Sequence, residues 1–337
     1  MENFKITYLL GILVPILLGI FGIVLGDFPK MKALGLSALT ISLLFGFILG
    51  NVSSSFFSNT FGNGVQLIAK RFLRWGVILY GLQLTLGDVL EIGGIGFLSD
   101  IFILLTTLPL GIWFGTKILK MDRDTAILTS AGSSICGAAA VLATEGTLKS
   151  ESYKSSTAVA TVVTFGTISM FLLPALYPLL GGGPNQFGIL VGSTVHEVAQ
   201  VVAAGASVSE KVSQTAVIVK LTKVMLLVPF LIGLGYWKKT QSEKGSSGSS
   251  QVTVPWFAVG FVIMIAINSL GILGDFAKQG LLRVDLLFLS SAMAALGWET
   301  KLVKIFQTGS KAFILALVLF LWLLFGGIGF EYLVLFR

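Results

Sequence analysis

Apolar runs close to 20 residues long recur along the whole chain, and this pattern constrains the fold more than any other feature of the sequence. A helical run of that length matches the hydrocarbon core of a bilayer, which is about 30 Å thick. The runs are continuous and lack the alternation of barrel strands. The chain is 55% hydrophobic and only 12% charged, whereas about a quarter of the residues of a soluble domain are charged. The sequence therefore predicts an all-α polytopic membrane protein.

The runs predict roughly 9–11 transmembrane helices. A Ser/Asn/Gly stretch at 52–64 reads as a connection between two of them. The predicted apolar runs are 6–26, 33–51, 72–90, 96–119, 125–144, 157–180, 187–206, 216–237, 256–274, 281–297 and 312–335.

Charge and motifs exclude several classes of function. The net charge is +7, but Lys and Arg cluster at the ends of apolar runs, as the positive-inside rule expects. This distribution indicates a cytoplasmic N-terminus rather than a nucleic-acid partner. The chain has no G-x-x-x-x-G-K-[ST] motif, so it does not use ATP through its own sequence. The lone Cys136 cannot form an internal disulfide. We expect the lipid bilayer as a partner, and neither a cofactor nor a metal.

Two stretches resemble each other at an offset of 60 residues, residues 132–143 and residues 192–203. Each is followed by a span that carries a proline after a hydrophobic run, at Pro174 and Pro229. We predict a single membrane domain over residues 1–337. It comprises an extra, uncleaved N-terminal span (1–32), a first repeat (33–180), a second repeat (185–337) and a flexible cytoplasmic linker (238–254).

Both similar stretches carry Gly-Ser-[Ser/Thr] where a plain span would carry Leu or Val. Gly and Ser are poor helix residues, so these positions predict interrupted helices. Interruptions at membrane depth expose peptide groups, and a helix that starts after a break offers N–H groups to an anion. Paired interruptions in two halves are typical of transporter binding sites. Close packing of small residues without a ligand is the alternative. The candidates are Gly132, Ser133, Ser134, Gly192, Ser193 and Thr194.

Each interrupted segment either crosses the membrane or dips in and returns. Basic residues divide more unevenly between the two sides if both segments re-enter. Re-entry is therefore slightly favoured, and it would make the two repeats inverted.

Ionisable residues inside spans default to functional hypotheses, because they are costly there. His196 and Gln200 are four residues apart and would share a helical face, with Glu197 to one side. An imidazole with an unperturbed pKa near 6.5 suits a proton relay, with Glu197 as its partner or as the coupling carboxylate. The alternative is a structural His–Glu pair that stabilises the break.

Lys220 and Lys223 lie about one turn apart in the following run. Two ammonium groups at that depth need counter-charges, which Glu197 or a bound anion would supply. The alternative is that their long side chains snorkel to the interface.

Residues 132–138, 192–205 and 219–229 resemble the signature segments of the YeiH-type family, bacterial inner-membrane proteins that carry the label of sulfate exporters. The family is grouped with the cation/proton antiporter and anion transporter superfamily. The resemblance covers essentially the whole chain. It implies a multi-pass protein of the bacterial inner membrane, with inverted repeats, discontinuous helices that cross near the midplane, and transport of sulfate or a related sulfur oxyanion.

The leading hypothesis is a secondary transporter, not an enzyme, that moves a small anion with the help of a proton or ion gradient. A channel-like pore is the first alternative. An intramembrane hydrolase, with Ser133 or Ser134 paired to His196, is the second. The oligomeric state stays open, with a homodimer as one option. The predicted substrate-binding residues are Gly132, Ser133, Ser134, Gly192, Ser193, Thr194, Gln200, Lys220 and Lys223, and the predicted proton-coupling residues are His196 and Glu197.

Overall fold

The computed structural model describes residues 2–28, 31, 37–52, 55–241, 256–299 and 310–335. These residues are largely helical and contain no strand, which confirms the all-α prediction. A 3₁₀ turn (Gly81–Gln83) follows the third helix and a π-helical turn (Phe114–Ile118) follows the fourth. The helices are α1 (Glu2–Gly26), α2 (Ala38–Val52), α3 (Ser55–Tyr80), α4 (Leu86–Trp113), α5 (Arg123–Ser134), α6 (Ala138–Leu148), α7 (Ser152–Leu180), α8 (Pro184–Thr194), α9 (Val198–Ala206), α10 (Glu210–Met225), α11 (Leu227–Gln241), α12 (Trp256–Ser269), α13 (Asp275–Glu299) and α14 (Ser310–Leu335).

The chain is a multi-pass membrane protein. Six helical stretches in the described part are long and apolar enough to cross a bilayer. Large apolar side chains such as Leu9, Leu17 and Phe21 are exposed on them, as expected for faces that contact lipid. The six stretches are Thr7–Gly26, Leu86–Ile118, Tyr153–Leu180, Glu210–Lys238, Asp275–Glu299 and Ser310–Val334.

The predicted connection at 52–64 and the predicted span at 72–90 are both wrong. Helix α3 begins at Ser55, ends at Tyr80 and is followed by a turn, so the next helix starts only at Leu86. The polar composition hid a helical pattern of buried apolar residues, Phe61, Val65 and Ile68. The predicted linker also begins too early, because α11 extends to Gln241. The rest of the predicted linker lies outside the described residues.

Contacts divide the chain into two compact units. The first comprises Met1–Glu91, Val202–Gln214 and Trp256–Val303. In it, α13 packs against α1, α2 and α3. Gly46 and Gly297 bring α2 and α13 together, since a Cβ atom at either position would collide with the backbone of the other helix. The second unit comprises Ile92–Val201, Thr215–Pro255 and Lys304–Arg337. It contains the whole first interrupted segment and the second one as far as Val201.

The first interrupted segment is a re-entrant hairpin. Helices α5 and α6 have 12 and 11 residues, so each is only about 18 Å long and too short to cross a bilayer. The two helices fold back on each other, because a Cβ atom at Gly132 would lie 2.6 Å from Val141 Cγ2. The two ends of the segment also meet, since Lys154 Nζ lies 3.1 Å from Asp122 Oδ2.

The same end of this hairpin is held by α11. The guanidinium of Arg123, at the start of α5, lies 4.4 Å from the ring centroid of Trp237. Lys238 Nζ donates a hydrogen bond to the carbonyl of Leu148, at the end of α6. Both ends of the α5–α6 hairpin therefore lie on one side of the protein.

The second interrupted segment follows the same path from the other end of α7. Helix α8 runs alongside α10 in the same direction, from the Asn185–Thr215 contact (3.2 Å) to the Val195–Lys220 contact. Helix α9 must return towards the start of α10, because Glu210 follows Ala206 after only three residues. Helix α7 has 29 residues and is about 43 Å long, so it carries the chain across the bilayer between the two hairpins. The hairpins thus enter from opposite ends of α7.

Candidate functional site

The helix breaks are three residues long and correspond to each other at an offset of 60 residues. One is Ile135-Cys136-Gly137 and the other is Val195-His196-Glu197. Gly137 has a φ of +72°, a conformation that favours glycine, and this permits the sharp turn into α6. The interruption predicted from Gly-Ser-[Ser/Thr] is therefore present in both segments, but each break lies just after that motif.

Because each break lies after the Gly-Ser-[Ser/Thr] motif, the predicted geometry of the motif is wrong. Gly132-Ser133-Ser134 and Gly192-Ser193-Thr194 form the last turns of α5 and α8, so they end a helix rather than start one. The motif therefore presents carbonyl groups at the tips of the hairpins, and carbonyl groups attract cations rather than anions.

Most of the predicted hydroxyl ligands donate within their own helix. Ser193 Oγ and Thr194 Oγ1 donate to the carbonyl of Leu190 at 3.2 and 2.6 Å, and Ser134 Oγ donates to Ala131 at 3.4 Å. Ser133 Oγ is buried and has no hydrogen-bond partner among the described residues. Ser133 is therefore the hydroxyl of this set that is free to bind a ligand.

Lys220 joins the tips of the two hairpins. Its Nζ donates to the carbonyl of Ile135 at 2.8 Å and to the carbonyl of Val195 at 2.7 Å, the first residue of each break. The carbonyls at a helix C-terminus lack helical partners and carry a partial negative charge. One ammonium group thus neutralises two helix ends. Lys220 is 1% exposed, so it does not snorkel to the interface.

Lys223 lies one turn further along α10 and is also buried. Its Nζ donates to the carbonyl of Ser193. Within the described residues, neither lysine forms an ion pair with a carboxylate. The direct hydrogen-bond partners of both ammonium groups are therefore neutral carbonyls.

Glu197, one of the predicted counter-charges, points to the other hairpin instead. Its Oε1 accepts a hydrogen bond of 3.2 Å from the backbone N–H of Ala138, in the first turn of α6. A carboxylate at a helix N-terminus is favourable because the unsatisfied N–H groups carry a partial positive charge. Glu197 therefore links the second tip to the first.

Gln200 fixes the second hairpin to α7. Its Oε1 accepts from the backbone N–H of Glu197 at 3.2 Å, and its Nε2 donates to Val163 O and Thr167 Oγ1, both at 3.4 Å. The prediction that His196 and Gln200 share a helical face is wrong, because α9 begins only at Val198. The break displaces His196 from the helix that carries Gln200.

His196 lies at the centre of the second tip. It is 1% exposed, its Nδ1 has no hydrogen-bond partner in the described part of the chain, and it lies within electrostatic range of Lys220 and Lys223. Ser133 Oγ is likewise unpartnered, so the two residues do not form a serine–histidine hydrogen bond here. Cys136, at the equivalent position of the first tip, is buried and free.

Asp100 on α4 belongs to this site, and sequence reasoning missed it. It is 0% exposed, and neither carboxylate oxygen has a hydrogen-bond partner among the described residues. Both Lys223 and Lys220 act on it electrostatically. The signal was visible, because Asp100 is the only charged residue between Glu91 and Lys117.

Helix α4 is held close to the site by small residues. A Cβ atom at Gly96 would lie 2.6 Å from Val219 Cγ2 on α10, and one at Gly111 would collide with Ser130 on α5. Asp100 is four residues after Gly96 and therefore lies on the same face, towards α10.

Comparison with known proteins identifies relatives over almost the entire chain. The family model described as conserved hypothetical protein 698 matches residues 10–316. The UPF0324 inner membrane protein YeiH of Escherichia coli K12 is 43% identical over 311 residues, which cover 92% of this chain and 89% of the relative. A UPF0324 membrane protein of Bordetella pertussis is 42% identical over 323 residues, which cover 95% of this chain and 93% of the relative. No solved structure matches. The chain therefore belongs to the UPF0324 family of membrane proteins.

Proposed function

We propose that this protein is a secondary transporter of a small anion and that the transported anion binds beside Lys223, where the two hairpin tips meet α10. The observation that carries the proposal is the hydrogen bonding of Lys220 to the first carbonyl of both breaks. Unpaired peptide groups at membrane depth are tolerated only where protein or a watery cavity satisfies them. Here a single charged side chain holds two such breaks together.

The path of the chain supports transport rather than packing alone. Two hairpins that enter from opposite ends of α7 have the arrangement of an inverted repeat, the architecture in which transporters place substrate at the midplane. If one repeat rocked around such a site, the site would open alternately to the two sides of the membrane. We propose that residues 132–143 and 192–203 are the cores of these repeats.

The hydrogen bonds of the two lysines support an anion. Lys220 and Lys223 are buried, and their direct partners are neutral carbonyls. An ammonium group has three donors, and Lys223 uses one in the hydrogen bonds described here. Its remaining donors, with the free hydroxyl of Ser133, suit an oxyanion. Sulfate or a related sulfur oxyanion is the substrate class that we propose.

Proton coupling needs a buried group that can gain and lose a proton during the cycle. His196 has a free Nδ1 close to both lysines and is one such group. Glu197 is the other group suggested by the sequence, although its bond to Ala138 also gives it a structural role. We propose export across the bacterial inner membrane that is coupled to the binding of a proton.

The proposal is tested by counterflow of labelled sulfate in proteoliposomes, with sulfite and an organosulfonate as competitors. We expect saturable exchange that Lys223→Gln reduces at least ~10-fold, because a charge-assisted hydrogen bond contributes about 1.5–3 kcal/mol. Lys211→Gln is the matched control, since Lys211 lies on the same helix but its side chain is 42% exposed. Unchanged exchange in Lys223→Gln would remove the site assignment. High conductance without saturable exchange would favour a channel.

A further inference from the structure

We propose that Asp100 is the proton-binding group of this site, and that its carboxylate and the transported anion compete for the ammonium groups of Lys220 and Lys223. The inference deepens the proposed function and rests on it for the identity of the competitor. Protonation of Asp100 itself stands on the geometry alone.

The surroundings of Asp100 do not suit a permanently ionised carboxylate. The side chain is completely buried, and no described residue donates a hydrogen bond to either oxygen. A buried carboxylate without donors is strongly disfavoured unless nearby charge compensates it. The group must therefore either take up a proton or depend on the two lysines.

The charged groups around Asp100 determine whether it is protonated or ionised. Lys220 and Lys223 face it from α10. Lys220 also interacts electrostatically with Glu197, and it lies close to Cys136 at the hairpin tips. On α14, Glu331 lies next to Ser99, the neighbour of Asp100 in sequence, and is itself buried.

A bound oxyanion changes the balance. Without it, the two ammonium groups can compensate Asp100 and Glu197 as carboxylates. A doubly charged anion beside Lys223 adds two further negative charges to the same two ammonium groups. Uptake of one proton from water by Asp100 converts it to a neutral acid and removes one of these charges. The neutral acid can then donate its O–H to the anion or to a neighbouring acceptor.

Proton binding and anion binding are then reciprocal. If protonation of Asp100 strengthens anion binding by some factor, anion binding strengthens protonation by the same factor. We expect anion affinity to fall as pH rises through the titration of Asp100, and one proton to move with each anion.

The first test requires no substrate and no transport. Infrared difference spectra of the purified full-length protein between acid and alkaline pH should contain a C=O band from protonated Asp100, which is identified among those of the other carboxyl groups by subtracting the spectrum of Asp100→Asn. The band should be lost in Asp100→Asn and retained in Asp285→Asn. Asp285 is the matched control, a buried aspartate on α13 that is hydrogen-bonded to Gln83 at 3.0 Å. A band that is unchanged in Asp100→Asn would overturn the inference.

The second test measures the competition. Binding of labelled sulfate to the wild type should weaken at least about tenfold across the pH range in which the carboxyl band disappears. In Asp100→Asn, which cannot ionise, sulfate binding should persist and lose this pH dependence, while Asp100→Glu should restore it. Undiminished pH dependence in Asp100→Asn would overturn the competition.

The two tests separate the inference from the proposed function. If the carboxyl band behaves as expected but no oxyanion binds to wild type or variant, the anion proposal fails and proton binding by Asp100 remains. If sulfate exchange is present but the band is independent of Asp100, transport remains and the assignment of the proton fails.

Discussion

The carboxylate of Glu197, at the tip of one hairpin, accepts a hydrogen bond of 3.2 Å from the backbone N–H of Ala138, just after the break of the other hairpin. Lys220 makes the complementary contact, since it donates to the carbonyls of Ile135 and Val195 at the ends of α5 and α8. A negative group thus faces a helix N-terminus and a positive group faces two helix C-termini, the favourable sense for each. These contacts explain how two broken helices are stable at membrane depth.

We expect Glu197→Ala to destabilise the protein more than Glu197→Gln. Alanine leaves the N–H of Ala138 without its acceptor, which costs about 1–3 kcal/mol for a buried donor, whereas glutamine keeps an acceptor oxygen. Thermal unfolding of the detergent-purified protein measures the difference. Glu210→Ala, on an exposed residue, is the control. Equal destabilisation by the two Glu197 variants would show that the charge, not the hydrogen bond, is what matters.

Lys220→Met should be more damaging to stability than Lys223→Met. Loss of the Lys220 ammonium leaves two buried carbonyls unpaired, whereas loss of the Lys223 ammonium leaves one. At about 1–3 kcal/mol for each unpaired group, the two variants should differ by a similar amount. Folded yield and unfolding temperature in detergent check this. If Lys223→Met unfolds first, Lys220 is not the main link between the tips.

His196→Gln distinguishes the two candidate proton carriers. If Asp100 binds the coupling proton, this variant should slow sulfate exchange but keep its dependence on pH, while Asp100→Asn should lose that dependence. The reason is that glutamine is polar, as histidine is, but cannot titrate. Exchange measured in proteoliposomes at several pH values gives the answer. The reverse result would assign the coupling proton to His196.

The end of the first hairpin where Asp122 meets Lys154 should become less stable in acid. Partial burial raises the pKa of Asp122, but hydrogen bonds from the backbone N–H of Thr125 and from Lys154 outweigh it, so the pKa is lowered overall. Because the pKa of Asp122 is lower in the folded state, its carboxylate stabilises that state at pH values above the unfolded-state pKa of about 3.9. This stabilisation is lost as the pH falls through the folded-state pKa. Hydrogen exchange of α5 and α6 near neutral pH and in acid, corrected for the intrinsic exchange rate, measures this effect.

Variants of Asp122 distinguish the effect of its charge from its role as the N-cap of α5. Asp122 also caps α5, so Asp122→Ala should cost about 0.5–2 kcal/mol of local stability at neutral pH. Asp122→Asn should keep the cap and lose only the pH dependence, because asparagine is an equally good capping residue. Equal pH dependence in wild type and Asp122→Asn would assign the titration to another group.

The helix interruptions were predictable because they depend on local chemistry. Two Gly-Ser-[Ser/Thr] motifs disfavour a continuous helix, and the breaks lie directly after them. The unevenness of basic residues slightly favoured re-entry, which the Lys154–Asp122 contact supports for the first hairpin. The exact position of each break, just after the motif, was not predictable, because Gly137 and the hydrogen bonds of Lys220 determine it.

The sequence by itself determined that the chain is helical, crosses a membrane several times and contains two similar interrupted segments, because hydropathy and helix propensity act over neighbouring residues. Only the tertiary structure decided the partners of the buried charges. Lys220 satisfies carbonyls 85 and 25 residues away along the chain, Glu197 reaches the opposite hairpin, and Asp100 lies near both lysines without a partner of its own. These relationships depend on which helices pack together, and no local pattern of residues encodes that.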